Sequence, residues 1–385
     1  MTRKRGVLFC ILSMHCFFAF SQNINVRIFS NVKVEEMEFV PSFGNYILVM
    51  DSSFEQKIGR TSKINIEKDK DSLTVKLNGE PLRKAKRVEF MAQGLKAFFK
   101  IDVKTKKEKE RRYDDNLIVL PYEGKQIMLI NKVNIDNYIA GVVQSEAGGA
   151  TDNVDFFKLQ AICVRNYLYT NMNKHANEGF NLCDDTHCQA YLSRANKPQV
   201  IQGAWNSKAE VIVDANGDII ETLFHANSGG MTVSAEDVWQ KPVDYLQPVT
   251  DSFSIGMKDY RWEHFIKMRD WLNYFKGKGL NTKNDSIENA LLTFSQQDGR
   301  KKDIMGIPLT TVRKDFGLKS TFFSVQKWGG EVKLDGRGYG HGVGLSQQGA
   351  INMCEQGYEY WQVVEFYYKG AKVVKREDIF NQLNN

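Results

Sequence analysis

At 385 residues, the chain is long enough for two or three domains, each with its own core. Its 42% hydrophobic and 25% charged residues, with only seven prolines, are ordinary for a globular protein. The formal charge of +6 falls to +3 once residues 1–21 and their three basic side chains are removed. That leaves 49 Lys and Arg against 46 Asp and Glu, too weak a balance to argue for nucleic acid.

Residues 1–21 open on Arg3, Lys4 and Arg5, continue through an apolar run over 7–20, and end on the small-x-small pattern Ala19-Phe20-Ser21. That is the pattern of a secretory signal peptide, too short to span a membrane. Cys16 follows His15 and not a small residue, which argues against a lipid anchor. No later segment approaches 18 apolar residues, so the expectation is an exported mature chain without a transmembrane segment, periplasmic or extracellular.

Residues 22–125 read as a β-rich module. Short runs such as INVRIF (24–29), YILVM (46–50) and SLTVKL (72–77) alternate with turn residues such as Asn78-Gly79. The basic run 104–112 (KTKKEKERR) carries two glutamates and reads as a solvated hairpin tip or strand edge. Residues 126–376 read as a mixed domain, in which a strand leads into an apolar segment that ends at Gln144-Ser145-Glu146. Thr151 or Asp152 can cap a helix over 154–175, whose Phe157, Ala161, Val164, Leu168 and Met172 share one face. Residues 253–320 read as a helical and loop-rich excursion, and a last helix covers 346–356. Helices and strands mix without a βαβ repeat, so the predicted fold class is α+β.

Four places could carry chemistry. Glu146 follows Val142 and Val143, and a carboxyl held against apolar groups favours its neutral form, as a proton donor near neutral pH requires. The alternative is a surface glutamate in a loop. Cys183, His187 and Cys188 fall within six residues, with His175 upstream, which makes a four-ligand set for a closed structural zinc site. A Cys183–Cys188 disulfide or free thiols beside a surface histidine are the alternatives. His225, Ser228, Gly229 and Gly230 sit at a predicted strand end, where polar groups beside glycines suit substrate contact, although a structural histidine fits as well. The glycine-dense segment 336–350 (GRGYGHGVGLSQQGA) holds His341, Ser346 and Gln347 and reads as a binding surface, against the alternative of a glycine-rich turn. Cys163 and Cys354 fall on predicted helices as small core residues.

The order of NKVNIDNYIAGVVQSE, KLQAICVRNYLYTN, LCDDTHCQAY, FHANSGGMTVSAEDVW and GRGYGHGVGLSQQGA resembles the stage II sporulation protein D (SpoIID/LytB) family over about residues 118–370. The resemblance implies a peptidoglycan lytic transglycosylase that cleaves glycan strands stripped of stem peptides and leaves 1,6-anhydro-N-acetylmuramic acid ends. It places the catalytic acid/base at Glu146. It places substrate contacts at His225, Ser228, Gly229, His341, Ser346 and Gln347, and zinc on His175, Cys183, His187 and Cys188. The spacing from His175 to Cys183 departs from the family pattern. The resemblance also brings in a peptidoglycan amidase as a partner class, because the family includes proteins described as enhancers of another hydrolase. A non-catalytic wall-binding modifier and a zinc-dependent amidase or peptidase are the rival readings.

Overall fold

A computed structural model describes residues 23–377. The predicted signal segment 1–21 lies outside the described residues. The chain is α+β, and its β half is one sheet of eleven strands. In spatial order the main path runs 182–183, 23–28, 127–134, 116–121, 88–102, 36–50, 64–69, 72–77, 80–85, with two further short strands on its flanks. Alternation explains the faces: along Asn23–Ile28, Ile24, Val26 and Ile28 are buried while their neighbours reach outward. Phe39, Phe90 and Phe99 stack inside, with the first two ring centres 3.8 Å apart.

The strand Ile127–Asn134 pairs with Asn23–Ile28, which also pairs in parallel with the short strand Leu182–Cys183. A single sheet therefore crosses from the β-rich half into the mixed half. Residue 134 is also where strand becomes helix. The Asn134 side chain accepts the Asp136 N–H (2.8 Å) and caps α1, Ile135–Ala147. The apolar segment of the sequence is thus a helix. Helix α2, Val154–Asn171, packs against α1. Its cap is Asn153, not Thr151 or Asp152. The Asn153 side chain accepts the Phe156 N–H (3.0 Å), and the Thr151 hydroxyl accepts the Asn153 N–H one step earlier (3.2 Å). The helix stops before His175, which lies at the entry of a short 3-10 turn. α3, Pro198–Asn206, crosses α2.

Residues 253–320 contribute three helices, the strand Arg261–Lys267 and a short hairpin that pairs Asp303–Ile304 with Ile307–Pro308. The strand Arg261–Lys267 joins Phe323–Trp328 and Glu331–Arg337 in a three-stranded antiparallel sheet. A second core gathers there around Trp271, Phe275, Leu309 and Leu334, separate from the main core. The helix expected over 346–356 is Gln347–Glu355, capped by Ser346, but it is not the last: Tyr360–Tyr367 forms a further helix after it. The basic run is a hairpin connection, but Arg111 turns inward over the Phe29 ring (4.2 Å). Cys163 and Cys354 are buried, free and apolar in setting. Among the described residues, no helix is long and apolar enough to cross a membrane.

Candidate functional site

Helical spacing decides where Glu146 points. Ile135, Tyr138, Ile139, Val142 and Val143 form the buried stripe of α1, and residue 146 is the next position on it. The stripe therefore carries the carboxyl toward the interior, half-buried in the last helical turn. Burial raises its pKa above the ordinary glutamate value, opposed in part by the Ala190 N–H, which donates to Oε1 at 2.9 Å. An apolar stripe ending in a carboxyl is the arrangement that a proton donor needs.

The donor to Glu146 comes from a strap, residues 190–197, that lies across α1. The three consecutive polar side chains at the end of α1 bind it. Glu146 takes the Ala190 N–H, the Ser145 hydroxyl takes the Leu192 N–H (3.0 Å), and Gln144 Oε1 takes those of Asn196 (3.2 Å) and Lys197 (3.0 Å). Tyr191 is fully buried between Tyr138 and Tyr113, and its hydroxyl donates to Asn131 (2.9 Å). The close approach depends on Gly141. A Cβ there would sit 2.4 Å from the Tyr191 ring and 2.9 Å from the Ser193 carbonyl oxygen. This accounts physically for the glycine in GVVQSE.

Immediately before the strap lies the cysteine clip. The ligand atoms of His175, Cys183, His187 and Cys188 all lie within 4.8 Å of one another. Cys183 Sγ is 3.7 Å from His187 Nδ1, and Cys188 Sγ is 3.5 Å from His175 Nε2. Tetrahedral zinc with bonds of about 2.0–2.3 Å spaces its ligands by about 3.3–3.8 Å, which these two separations match, and two thiols with two imidazoles are the donors that ion takes. The cysteines are free. A hydrogen bond from Cys183 pushes the Cys188 thiol down to about 7. Glu178 sits 2.5 Å from the other ring nitrogen of His175, the kind of outer carboxylate that fixes a ligating imidazole. Asp184 ties the clip to the sheet: it accepts the Phe29 N–H (2.6 Å), the Ser30 N–H (2.9 Å) and the Arg111 guanidinium (3.0 Å).

The remaining predicted residues form a different cluster. The parallel bridge of Phe224–His225 with Leu345–Ser346 brings the two glycine-bearing motifs together. Ser228 and Ser346 are buried, joined through Ser254 and Asp251. The Ser228 hydroxyl donates to Asp251 (2.7 Å), and the Ser254 and Ser346 hydroxyls lie 2.7 Å apart. The Gly229 N–H donates to the Asn227 side chain (2.8 Å). His341 uses both ring nitrogens on backbone: Nδ1 accepts the Val343 N–H (3.1 Å), and Nε2 lies 2.9 Å from the Phe224 carbonyl oxygen. Burial pushes its pKa down to about 4, and burial likewise drives His225 well below the usual histidine range. His225 Nδ1 faces the Val343 carbonyl (3.1 Å), while its Nε2 and the Gln347 Nε2 are buried without a partner among the described residues. At Gly344 (φ +70°) a Cβ would meet the Leu223 carbonyl oxygen at 2.3 Å, so the glycines let one backbone lie directly on the other.

The structure therefore gathers the four metal-type ligands into one clip and seats Glu146 two residues from it, through Ala190. His225, Ser228, Gly229, His341, Ser346 and Gln347 make up a second group with its own hydrogen bonds. Sequence reading missed the strap and its three anchors, although Gln144 and Ser145 stood inside a quoted motif. It also missed Asp251 and Ser254, a cap and the end of its 3-10 turn, whose link to Ser228 and Ser346 comes only from tertiary packing.

Residues 123–221 match the family described as SpoIID, stage II sporulation protein. Over 283 residues the chain is 26% identical to an uncharacterized protein of Brachyspira hyodysenteriae, covering 71% of this chain and 74% of that protein. It is 26% identical over 279 residues to stage II sporulation protein D of Bacillus subtilis, covering 66% and 78%. It is 23% identical over 287 residues to an amidase enhancer of the same species, covering 60% of this chain and 40% of that protein.

Proposed function

We propose that this chain, which carries a SpoIID domain, serves in the bacterial cell wall as a peptidoglycan lytic transglycosylase with Glu146 as its acid/base. The observation that carries the reading is the half-buried Glu146 carboxyl, whose pKa burial raises and whose anion one backbone N–H can receive. In the first step the protonated Glu146 gives its proton to the glycosidic oxygen as the anomeric bond breaks. In the second, the Glu146 carboxylate takes the proton from the C6 hydroxyl of the same N-acetylmuramic acid. The O6 atom closes on the anomeric carbon and leaves a 1,6-anhydro end, with the proton back on Glu146. One carboxyl suffices because the nucleophile belongs to the substrate. Its proximity is worth at most about 7–11 kcal/mol of the barrier. The Ala190 N–H stabilises the carboxylate between the two steps.

His175, Cys183, His187 and Cys188 would hold zinc. Four protein ligands leave no position for a reacting water, so the ion would supply rigidity to the clip and the strap. The closed donor set gives no support to a zinc-dependent amidase. In the second cluster, the network of Ser228, Gly229, Asp251, Ser254 and Ser346 braces a loop, with His225 and Gln347 packed beside it. Trp239 and Tyr339, both about half exposed, stand out from that region, and Trp239 lies against His341 (5.3 Å). They offer ring surface to a sugar. The apolar N-terminal run supports export, and the similarity to an amidase enhancer supports a peptidoglycan amidase as a partner.

The test is cleavage of peptide-free glycan strands by wild type and by Glu146→Gln. The variant keeps the shape and can still accept the Ala190 N–H, but it cannot give up a proton. It should bind strands and leave them whole. Equal cleavage by the variant removes Glu146 from the chemistry. No cleavage by wild type on any strand favours a wall-binding modifier.

A further inference from the structure

The outer face of the three-stranded sheet arranges its charges in opposed pairs. Glu263 stands directly across from Asp335, and Arg261 directly across from Arg337. Like charges opposed in this way destabilise a sheet unless something lies between them. The acidic pair has its counterion: Lys333 Nζ lies 2.5 Å from Glu263 and 2.9 Å from Asp335. The arginine pair has none. Among the described residues, no carboxylate lies within ion-pairing distance of Arg261 or Arg337.

A third guanidinium deepens the imbalance. Arg300 and Arg337 both lie over the Phe322 ring, at 4.7 and 4.0 Å. Arg300 donates to the Met231 carbonyl (2.8 Å) and likewise pairs with no carboxylate among the described residues. Burial, and then repulsion from Arg337, push its pKa down to about 9. This part of the chain thus holds positive charge that its own acids do not answer.

The unbalanced pair borders a cavity of about 780 Å³, a size suited to a small ligand. Trp262 and Phe294 contribute apolar surface, and Ser295 and Gln297 add neutral polar groups. Farther along the same face, Phe265 and Trp328 are exposed with ring centres 6.4 Å apart. Guanidinium groups at one end, carboxylates and amides that accept hydroxyls in the middle, and rings at the other end suit a sugar that bears an acid.

We propose that this face binds an acidic sugar unit of the glycan strand, its carboxylate held between Arg261 and Arg337. The proposal rests on the glycan reading above and deepens it. In a peptide-bearing strand the lactyl acid of muramic acid is tied up as an amide, and it becomes a free carboxylate only where the stem has been removed. The Arg261–Arg337 pair would therefore read the state of the strand, outside the cluster around Glu146.

The test measures binding to the full-length Glu146→Gln protein, which leaves strands intact, by calorimetry. Peptide-free strands with free carboxylates are compared with the same strands converted to methyl amides. Free-acid strands should bind about 10–100-fold more tightly, as expected for charge-assisted contacts. Arg261→Gln should abolish that difference and leave the amide strands unaffected. Arg261 is exposed and opposed to a like charge, so this variant should keep the circular dichroism of its parent and melt no lower. Arg261→Lys should recover only part of the preference, because a point charge cannot make the forked contact.

Equal binding of both strand forms overturns the proposal, as does an Arg261→Gln loss that is the same on both, or no binding at all. Inorganic phosphate serves as the competing probe. Displacement of free-acid strands by phosphate at concentrations where acetate does nothing reassigns the pair to phosphate and overturns the carboxylate. Arg261-dependent binding without cleavage by wild type leaves this inference standing and removes the lytic reading. Cleavage that ignores the acid does the reverse.

Discussion

The two polar clusters in the mixed half differ in how their groups are satisfied. Around Ser346 the hydroxyls of Ser228 and Ser254, the Asp251 carboxylate and the ring of His341 answer one another or nearby backbone. Around Glu146 the carboxyl sits on a buried helical stripe with a single backbone donor. A closed network makes two glycine-bearing segments into one rigid support. A carboxyl short of partners in an apolar setting keeps its capacity to trade a proton. Density of motif residues and chemical readiness are therefore separate properties. The segment richest in unusual residues spends most of its polar groups on its own hydrogen bonds, His225 Nε2 and Gln347 Nε2 being the exceptions among the described residues.

Removing one group from each cluster should have opposite consequences. Glu146→Gln should lower the rate of strand cleavage by about 10²–10⁴-fold, as loss of a general acid does. Ser346→Ala strips a buried hydroxyl that accepts the Gly349 and Ser228 N–H groups (both 3.3 Å). It should cost about 1–3 kcal/mol of stability, read by denaturant unfolding, while the folded fraction keeps its rate. A Ser346→Ala protein as stable as wild type and catalytically dead would reverse the two roles.

The next effect belongs to the clip. Protein prepared without chelator should carry about one zinc per chain by elemental analysis, and stripping the metal should lower both the melting temperature and activity. At free zinc 1,000-fold above its Kd, linkage adds about 4 kcal/mol to stability. A metal-free protein with a Cys183–Cys188 disulfide and full activity would remove this part of the account.

Gly141→Ala tests the strap alone. The methyl group meets the Tyr191 ring and the Ser193 carbonyl, and overpacking of this kind costs about 1–3 kcal/mol. Activity should fall further than the loss of folded protein explains, because the Ala190 N–H moves with the strap. The smallest effect concerns pH. Burial raises the Glu146 pKa above its unfolded value, so the folded state favours the protonated acid. That contribution is fully present below the unfolded carboxyl pKa and is lost as pH rises through the raised one. Glu146→Gln should therefore melt higher than wild type at neutral pH, with the gain shrinking on acidification. A gain that persists unchanged in acid contradicts burial as the cause of the shift.

Local patterns made much of this legible. The alternation in SLTVKL and INVRIF located strands to within a residue, because a half-buried strand writes its period into its own residues. Cys183, His187 and Cys188 declared their grouping by proximity in sequence. The buried direction of Glu146 was also written there, in the spacing of Ile135, Ile139, Val142 and Glu146, but only if the segment is taken as a helix. What distance in the chain conceals was not legible. Leu182–Cys183 joins the sheet beside residues more than 150 positions earlier, and Asp251, which caps the 3-10 turn holding Ser254, reaches Ser228 through tertiary packing that no local period encodes. The Asn153 cap escaped because Thr151, Asp152 and Asn153 are all competent, and only the first helical N–H groups choose among them.

In the proposed reaction Glu146 activates the substrate's own hydroxyl instead of water. Mass spectrometry of the fragments released by wild-type protein from peptide-free strands tests it most directly. The account predicts muramic ends lighter by one water than a hydrolysed end and resistant to borohydride reduction. Ordinary reducing ends, formed by the same Glu146-dependent cleavage, would contradict it.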